Sequence, residues 1–269
     1  MIRRLIPLAL VATIATPALA QQRARQADFQ WQGVIASGGE VSLNNVNGDI
    51  KVRPSTSGRV EVVGIKSGDP QYFDRIRVDV QPTSRGVTVC VLYNSNDSYC
   101  DARGSHSDNR DDRWGDRSWR DVAIDLEVAL PANLMVSASS VSGDVDVSGA
   151  QGDVRASSVS GDVHLEKLHA SSVEATSVSG DVMVRVDQLT GRGDLKFTTV
   201  SGDVTLEVPK QFDADLSMST VSGKIDSDFQ LVVGGTRQSR RNIDARIGSG
   251  GRRLDLNTVS GDVKIRMIN

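Results

Sequence analysis

Six aspartates recur in one chemical context. Asp49, Asp144, Asp162, Asp181, Asp203 and Asp262 each follow a glycine inside a phrase of the form Thr/Ser-Val-Ser-Gly-Asp-Val. Carboxylates repeated in rows could hold calcium, or could serve as acid and base on a polysaccharide. Calcium-binding glycine-aspartate rolls use Gly-Gly-x-Gly-x-Asp at tighter spacing, which this chain lacks, and Lys224 stands at the aspartate position of one copy. A glycosidase needs two carboxyl groups in unlike environments, whereas each copy supplies the same one. The expectation is that each aspartate caps its own bend through nearby backbone bonds. His106, His164 and His169 have no metal-ligand spacing, and no Gly-x-Ser-x-Gly elbow occurs. No catalytic residue, metal or cofactor is expected, and the chain is not read as an enzyme.

Two further groups could act outside the phrase. Cys90 and Cys100 are the only cysteines, and in an oxidising compartment such a pair predicts a disulfide at the start of a charged insertion. That insertion, residues 94–121, holds seven aspartates and five arginines with no apolar periodicity. It reads as a long loop or disordered segment. Its Trp114, Trp119, Arg113 and Arg117 are the candidate partner-binding residues, because tryptophan and arginine anchor interfaces. The basic stretch Arg237–Arg241 reads as an exposed turn.

The phrase also dictates the elements around it. Copies stand at Ser140–Val145, Ser158–Val163, Ser177–Val182, Thr199–Val204 and Thr258–Val263, with variants TVSGKI at Thr220–Ile225 and NVNGDI at Asn45–Ile50. Each copy lies between alternating stretches such as Val154-x-Ala156-x-Ser158 and Val163-x-Leu165. Alternation marks strands with one buried face. The alternation changes parity inside every copy, which a straight strand cannot do. The chain must therefore bend at Gly48, Gly143, Gly161, Gly180, Gly202, Gly223 and Gly261, where glycine permits φ > 0 or close backbone approach. From Gly143 onward the glycines are spaced by 18, 19, 22, 21 and 38 residues; the last interval reads as two units, with 226–253 degenerate. A period of about 20 residues holding two short strands predicts an all-β, single-stranded β-solenoid, β-helix-like, with a Ser-Gly-Asp corner in each coil. The alternative is an antiparallel β-sandwich of hairpins.

Around this array, residues 1–20 read as a Sec signal peptide. Arg3 and Arg4 precede the apolar run Leu5–Ile14, and Ala18-Leu19-Ala20 makes a cleavage site. Residues 21–35 read as a flexible N-terminal segment and 36–269 as the solenoid domain. Ile76–Val80 and Val87–Val91 read as a hairpin that covers the first coil. The formal net charge of −3 mixes acids and bases, which argues against a nucleic-acid partner. No apolar run after residue 20 is long enough for a membrane span.

With the phrase, the opening Val41–Val52 containing Asn-Gly-Asp, and the strand-proline step Val128–Pro131, the chain resembles the bacterial putative-adhesin family of secreted β-strand-repeat proteins. The resemblance spans about 40 to 269. It implies a β-solenoid, an envelope or extracellular location and no known catalytic residues. The insertion at 94–121 is unlike that family's usual short connection. The resulting expectation is a non-enzymatic, adhesin-like binding or structural protein of the cell envelope. Its expected destination is the periplasm or the cell surface, and its expected partner a protein or glycan. The alternatives are a periplasmic scaffold in envelope-stress sensing and, further off, a carbohydrate-active β-helix enzyme.

Overall fold

A computed structural model describes residues 28–93, 98–107, 122–233, 239 and 241–268. The expected signal peptide and residues 21–27 of the expected flexible segment lie outside these residues; in the rest of that segment Phe29–Gly33 is a strand, held by pairing with Val60–Ser67. The described chain is all-β apart from one 3-10 turn at Pro70–Arg75.

The architecture is a solenoid whose coils each contribute one strand to each of two sheets, one ten-stranded and one eleven-stranded among the described residues. In the regular array the coils are Met135–Ser142 with Val145–Ser148, Val154–Ser160 with Val163–Ala170, Val173–Ser179 with Val182–Leu189, and Leu195–Thr198 with Val204–Pro209. Successive coils pair in parallel and in register, Val136 beside Val154 beside Val173 beside Leu195. Parallel pairing removes the antiparallel sandwich. Near-identical coils give near-identical pleats, so every valine meets its counterpart one coil along.

The core lies between the two sheets. One inward row runs Val89, Leu43, Ala138, Ala156, Ala175, Phe197, Leu256 and Met218, all buried. The middle of the stack is thus narrow, with alanine in three successive coils, and it widens towards one end at Phe197.

Order along the stack differs from order along the chain at both ends. Glu40–Asn44 with Ile50–Pro54 comes first in sequence but is second in space. The outermost coil on that side is Gly86–Tyr93 with Ala123–Leu130, which pairs in parallel with it. At the far end the last stretch of chain, Arg253–Asn257 with Val263–Ile268, inserts as the seventh coil between Leu195–Pro209 and the eighth, Ala214–Ser219 with Ile225–Ser227. The expected degenerate coil at 226–253 does not form. Beyond Ser227 the chain instead supplies Asn242–Ile247, which extends one sheet antiparallel to Ala214–Ser219, and Val232–Val233, which pairs antiparallel with Asn242–Ile247 at the sheet's edge. At the opposite end Ile76–Pro82, Val60–Ser67 and Phe29–Gly33 are likewise antiparallel additions. Antiparallel strands let the chain reverse at each end, covering edges that would recruit other chains.

Residues 94–121 depart from the expectation of a structureless loop over part of their length. Ser98–Asp101 and Gly104–Ser107 form a hairpin. It lies over the outer face of Gly86–Tyr93, which is why seven of that strand's eight residues are buried.

Candidate functional site

The corner is where the phrase residues gather, and the structure gives each position a separate task. The first position, serine or threonine, is buried and faces inward. Its hydroxyl donates to the glycine carbonyl of the preceding coil. Ser158 bonds Gly143 at 2.9 Å, Ser177 bonds Gly161 at 2.9 Å and Thr199 bonds Gly180 at 2.8 Å. Asn45 fills this position in the second coil and donates from its amide to the Ile124 carbonyl at 2.8 Å.

The glycines stack on the same carbonyls. A Cβ on Gly161 would collide with the Gly143 carbonyl oxygen, and one on Gly180 with that of Gly161. The collision recurs at Gly48, Gly143, Gly202, Gly223 and Gly261. Close approach is the common requirement, because φ lies outside the left-handed region at Gly161, Gly180 and Gly223. The first coil has no predecessor, and there Ile124 stands at the glycine position.

The aspartates do not cap their own bends. Each Oδ1 accepts the backbone N–H of the aspartate in the next coil. Asp49 accepts from Asp144 at 3.0 Å, and Asp144 from Asp162, Asp162 from Asp181, Asp181 from Asp203 and Asp203 from Asp262 all at 2.8 Å. Stacked coils place that N–H about one strand spacing away, within reach of the carboxylate. Asp125 begins the chain of bonds by accepting from Asp49. Lys224 ends it as donor to Asp262; as the eighth coil it has no successor to accept from, so lysine fits there.

Among the described residues the second oxygens are answered only towards the ends. Lys51 meets Asp49 at 3.2 Å, and Lys264 meets Asp203 at 2.7 Å and Asp262 at 3.6 Å. The hydrogen bond from Lys264 holds the Asp203 carboxyl below its ordinary 3.8. The same contact raises the amine of Lys264. Asp144, Asp162 and Asp181, in three successive coils, have no cation within ion-pair distance among the described residues.

The valine at the second position points outward. Val46, Val141, Val159, Val178, Val200, Val221 and Val259 are 37–65 % exposed and form one apolar column along the corner. Sequence reasoning placed the parity switch here but missed that it strands a valine outside. The signal was present: a switch after an inward Ser140 leaves Val141 facing solvent before Val145 turns in again.

Cys90 and Cys100 are bonded, with Cα atoms 5.9 Å apart, and the disulfide ties the hairpin to the outermost coil. With Leu92 they form a small buried cluster of their own. Tyr93 and Val122 are the stems of the insertion. The buried Tyr93 hydroxyl donates to the Asn47 and Val122 carbonyls, and burial raises its pKa. The candidate contact residues Trp114, Trp119, Arg113 and Arg117 lie outside the described residues, as does most of Arg237–Arg241. On the opposite edge the buried Arg252 guanidinium donates to the carbonyls of Ser171, Gly193 and Gly191.

Among the described residues no three His, Cys, Asp or Glu side chains come together as a metal site, and no helix is long and apolar enough to cross a membrane.

A solved structure shares this architecture. A crystal structure described as a putative cell adhesion protein from Clostridium sporogenes superposes with a TM-score of 0.53 at 9 % identity, covering 89 % of this chain and 99 % of that one. A second, described as a putative adhesin from Bacteroides fragilis, aligns at 13 % identity over 89 % of this chain and 96 % of that one, with a TM-score of 0.41. No curated protein matches the chain. The family model described as Toastrack DUF4097 matches residues 34–266, which take in all eight coils but for the last two residues of Val263–Ile268, and the chain belongs to that family.

Proposed function

We propose that this protein is a non-enzymatic, secreted, adhesin-like binding protein of the bacterial cell envelope. One observation carries the reading. The buried first-position hydroxyls and one oxygen of each carboxylate that the sequence repeats are engaged in bonds between coils. What the stack presents outward is a regular surface built for contact. Its first coil replaces the short corner of its neighbours with the disulfide-anchored insertion that carries Trp114, Trp119, Arg113 and Arg117. The description of the Clostridium sporogenes structure as a putative cell adhesion protein fits this reading. The reading as a Sec signal peptide of residues 1–20 supports export.

The test is adherence. Cells or beads bearing the mature protein are compared with those bearing Trp114→Ala/Trp119→Ala on envelope proteins and glycans. Loss of adherence with an unchanged unfolding midpoint is the expected result, and unchanged adherence removes the insertion from the binding role. Protease shaving of intact cells is expected to release peptides from 94–121. Protection until the outer envelope is permeabilised would place the protein in the periplasm and favour the scaffold reading.

A further inference from the structure

The corner ridge carries a second surface, which does not depend on residues 108–121. Nothing in the stacking explains the outward valines. The second position joins the bonds between coils only through its backbone, as where Val178 and Val200 accept a serine N–H of the next coil, which asks for no particular side chain, and the β-propensity of a strand end would be met equally by threonine, which the phrase places one residue earlier. Val141, Val159, Val178 and Val200 nonetheless follow one another in successive coils, exposed. A contiguous apolar surface rimmed by polar residues marks an interaction site.

The two flanks of this column differ in charge. On one side runs an uncharged row of Ser139, Ser157, Thr176 and Thr198. On the other runs the acidic column, whose middle members Asp144, Asp162 and Asp181 keep one oxygen with no cation beside it among the described residues. Like charges about 4.8 Å apart repel, and a cationic occupant would relieve that repulsion. A second copy of this chain would bring another acidic column to the same ridge, and an anionic membrane surface would be repelled by it.

Spacing selects the form of the occupant. The valines repeat at the strand separation, about 4.8 Å. An α-helix lying along the column offers one apolar side chain per turn, about every 5.4 Å, and stays in step within about 3 Å over five rungs. An extended strand repeats same-face side chains at about 6.7 Å and falls out of step within two rungs.

We propose that the corner ridge docks a cationic amphipathic helix of a partner protein. Its apolar side chains would pack between the valine rungs, and its Lys or Arg residues would lie along one flank on the Asp144–Asp162–Asp181 column.

The test uses the mature full-length protein and a fluorescent Leu/Lys amphipathic peptide of about five helical turns. A Leu/Glu peptide of the same pattern is the control. Two triple variants separate the contributions. Val159→Ser/Val178→Ser/Val200→Ser removes the apolar column at exposed positions. Asp144→Asn/Asp162→Asn/Asp181→Asn removes the charge but keeps a carbonyl oxygen to accept the next coil's N–H. Saturable binding of the Leu/Lys peptide is expected, weakened about tenfold or more by either variant and weakened again by raising salt. Absent binding, equal binding of the Leu/Glu peptide, or binding unchanged in the valine variant overturns the proposal. So does a concentration-dependent dimer in sedimentation that the valine variant abolishes, which would assign the ridge to a second copy. Unchanged thermal unfolding in both variants separates loss of binding from loss of fold.

Discussion

Asp162 accepts the backbone N–H of Asp181 through Oδ1 at 2.8 Å, a bond between coils nineteen residues apart in sequence. The same bond repeats along the corner, so each aspartate fixes the register of its successor. A parallel ladder with small outward residues would otherwise slip easily.

Removing one acceptor should therefore matter more than removing its charge. Asp162→Ala leaves the Asp181 N–H without its partner and is expected to cost about 1–2 kcal/mol. Asp162→Asn keeps an acceptor oxygen and relieves repulsion along the column, so its stability should stay within about 0.5 kcal/mol of the parent. Urea unfolding midpoints at neutral pH give both values. Equal losses in the two variants would show that charge, not acceptance, is what the position needs.

Gly180 tests the close approach. Gly180→Ala puts a methyl group against the Gly161 carbonyl oxygen, and the strand pair must part to admit it. An expected cost of about 2–4 kcal/mol follows from overpacking and a weakened ladder. Gly38→Ala meets open space with φ at +79°, so only backbone strain of about 1 kcal/mol is expected. Comparable losses at the two sites would count against the stacked corner.

The disulfide closes a loop of ten residues in sequence. Cys90→Ala/Cys100→Ala is expected to lose about 2–3 kcal/mol on the loop-entropy argument. Hydrogen exchange should rise first in Ser98–Ser107, because the hairpin's other ties to the stack are few. Protection of the coils from Met135 to Pro209 should persist, since each is buried between neighbours.

Arg252 should tolerate no replacement. Its planar fork spans carbonyls from two coils. Lysine offers a single point charge to the same place, so Arg252→Lys is expected to cost about 2 kcal/mol or more. A thermal melt within a degree of the parent would remove the brace from the account.

The Lys264–Asp203 contact gives a pH signature. Its carboxyl is depressed in the folded state, so the stability it contributes is present above the ordinary value of 3.8 and is lost as pH falls through the lower, folded value. Lys264→Met should be less stable than the parent at neutral pH, and the gap should close in acid below 3.8. Denaturant midpoints at neutral and acid pH test this. A gap that persists undiminished in acid would mean that the lysine stabilises through its packing alone.

Local sequence sets the coil. Alternation on both sides of Ser-Gly-Asp set the strands, the parity switch set the corner, and the glycine spacing set the repeat, because all three are local properties of the backbone. It also named the cysteine pair that the structure joins. The stacking order was a tertiary decision. The last copy in the chain is the seventh coil in space, because an eighth coil and the strands Val232–Val233 and Asn242–Ile247 close the end beyond it. No local signal distinguishes a coil added at the end from one slipped inside, since both present the same pleat to their neighbours. Two residues at the ends of the ladder are legible only afterwards. Ile124 needs no glycine because no coil precedes it, and Lys224 needs no carboxylate because none follows. The aspartates' true partners were hidden for the same reason: their donors lie one coil away, at a distance along the chain that only folding brings within 3 Å.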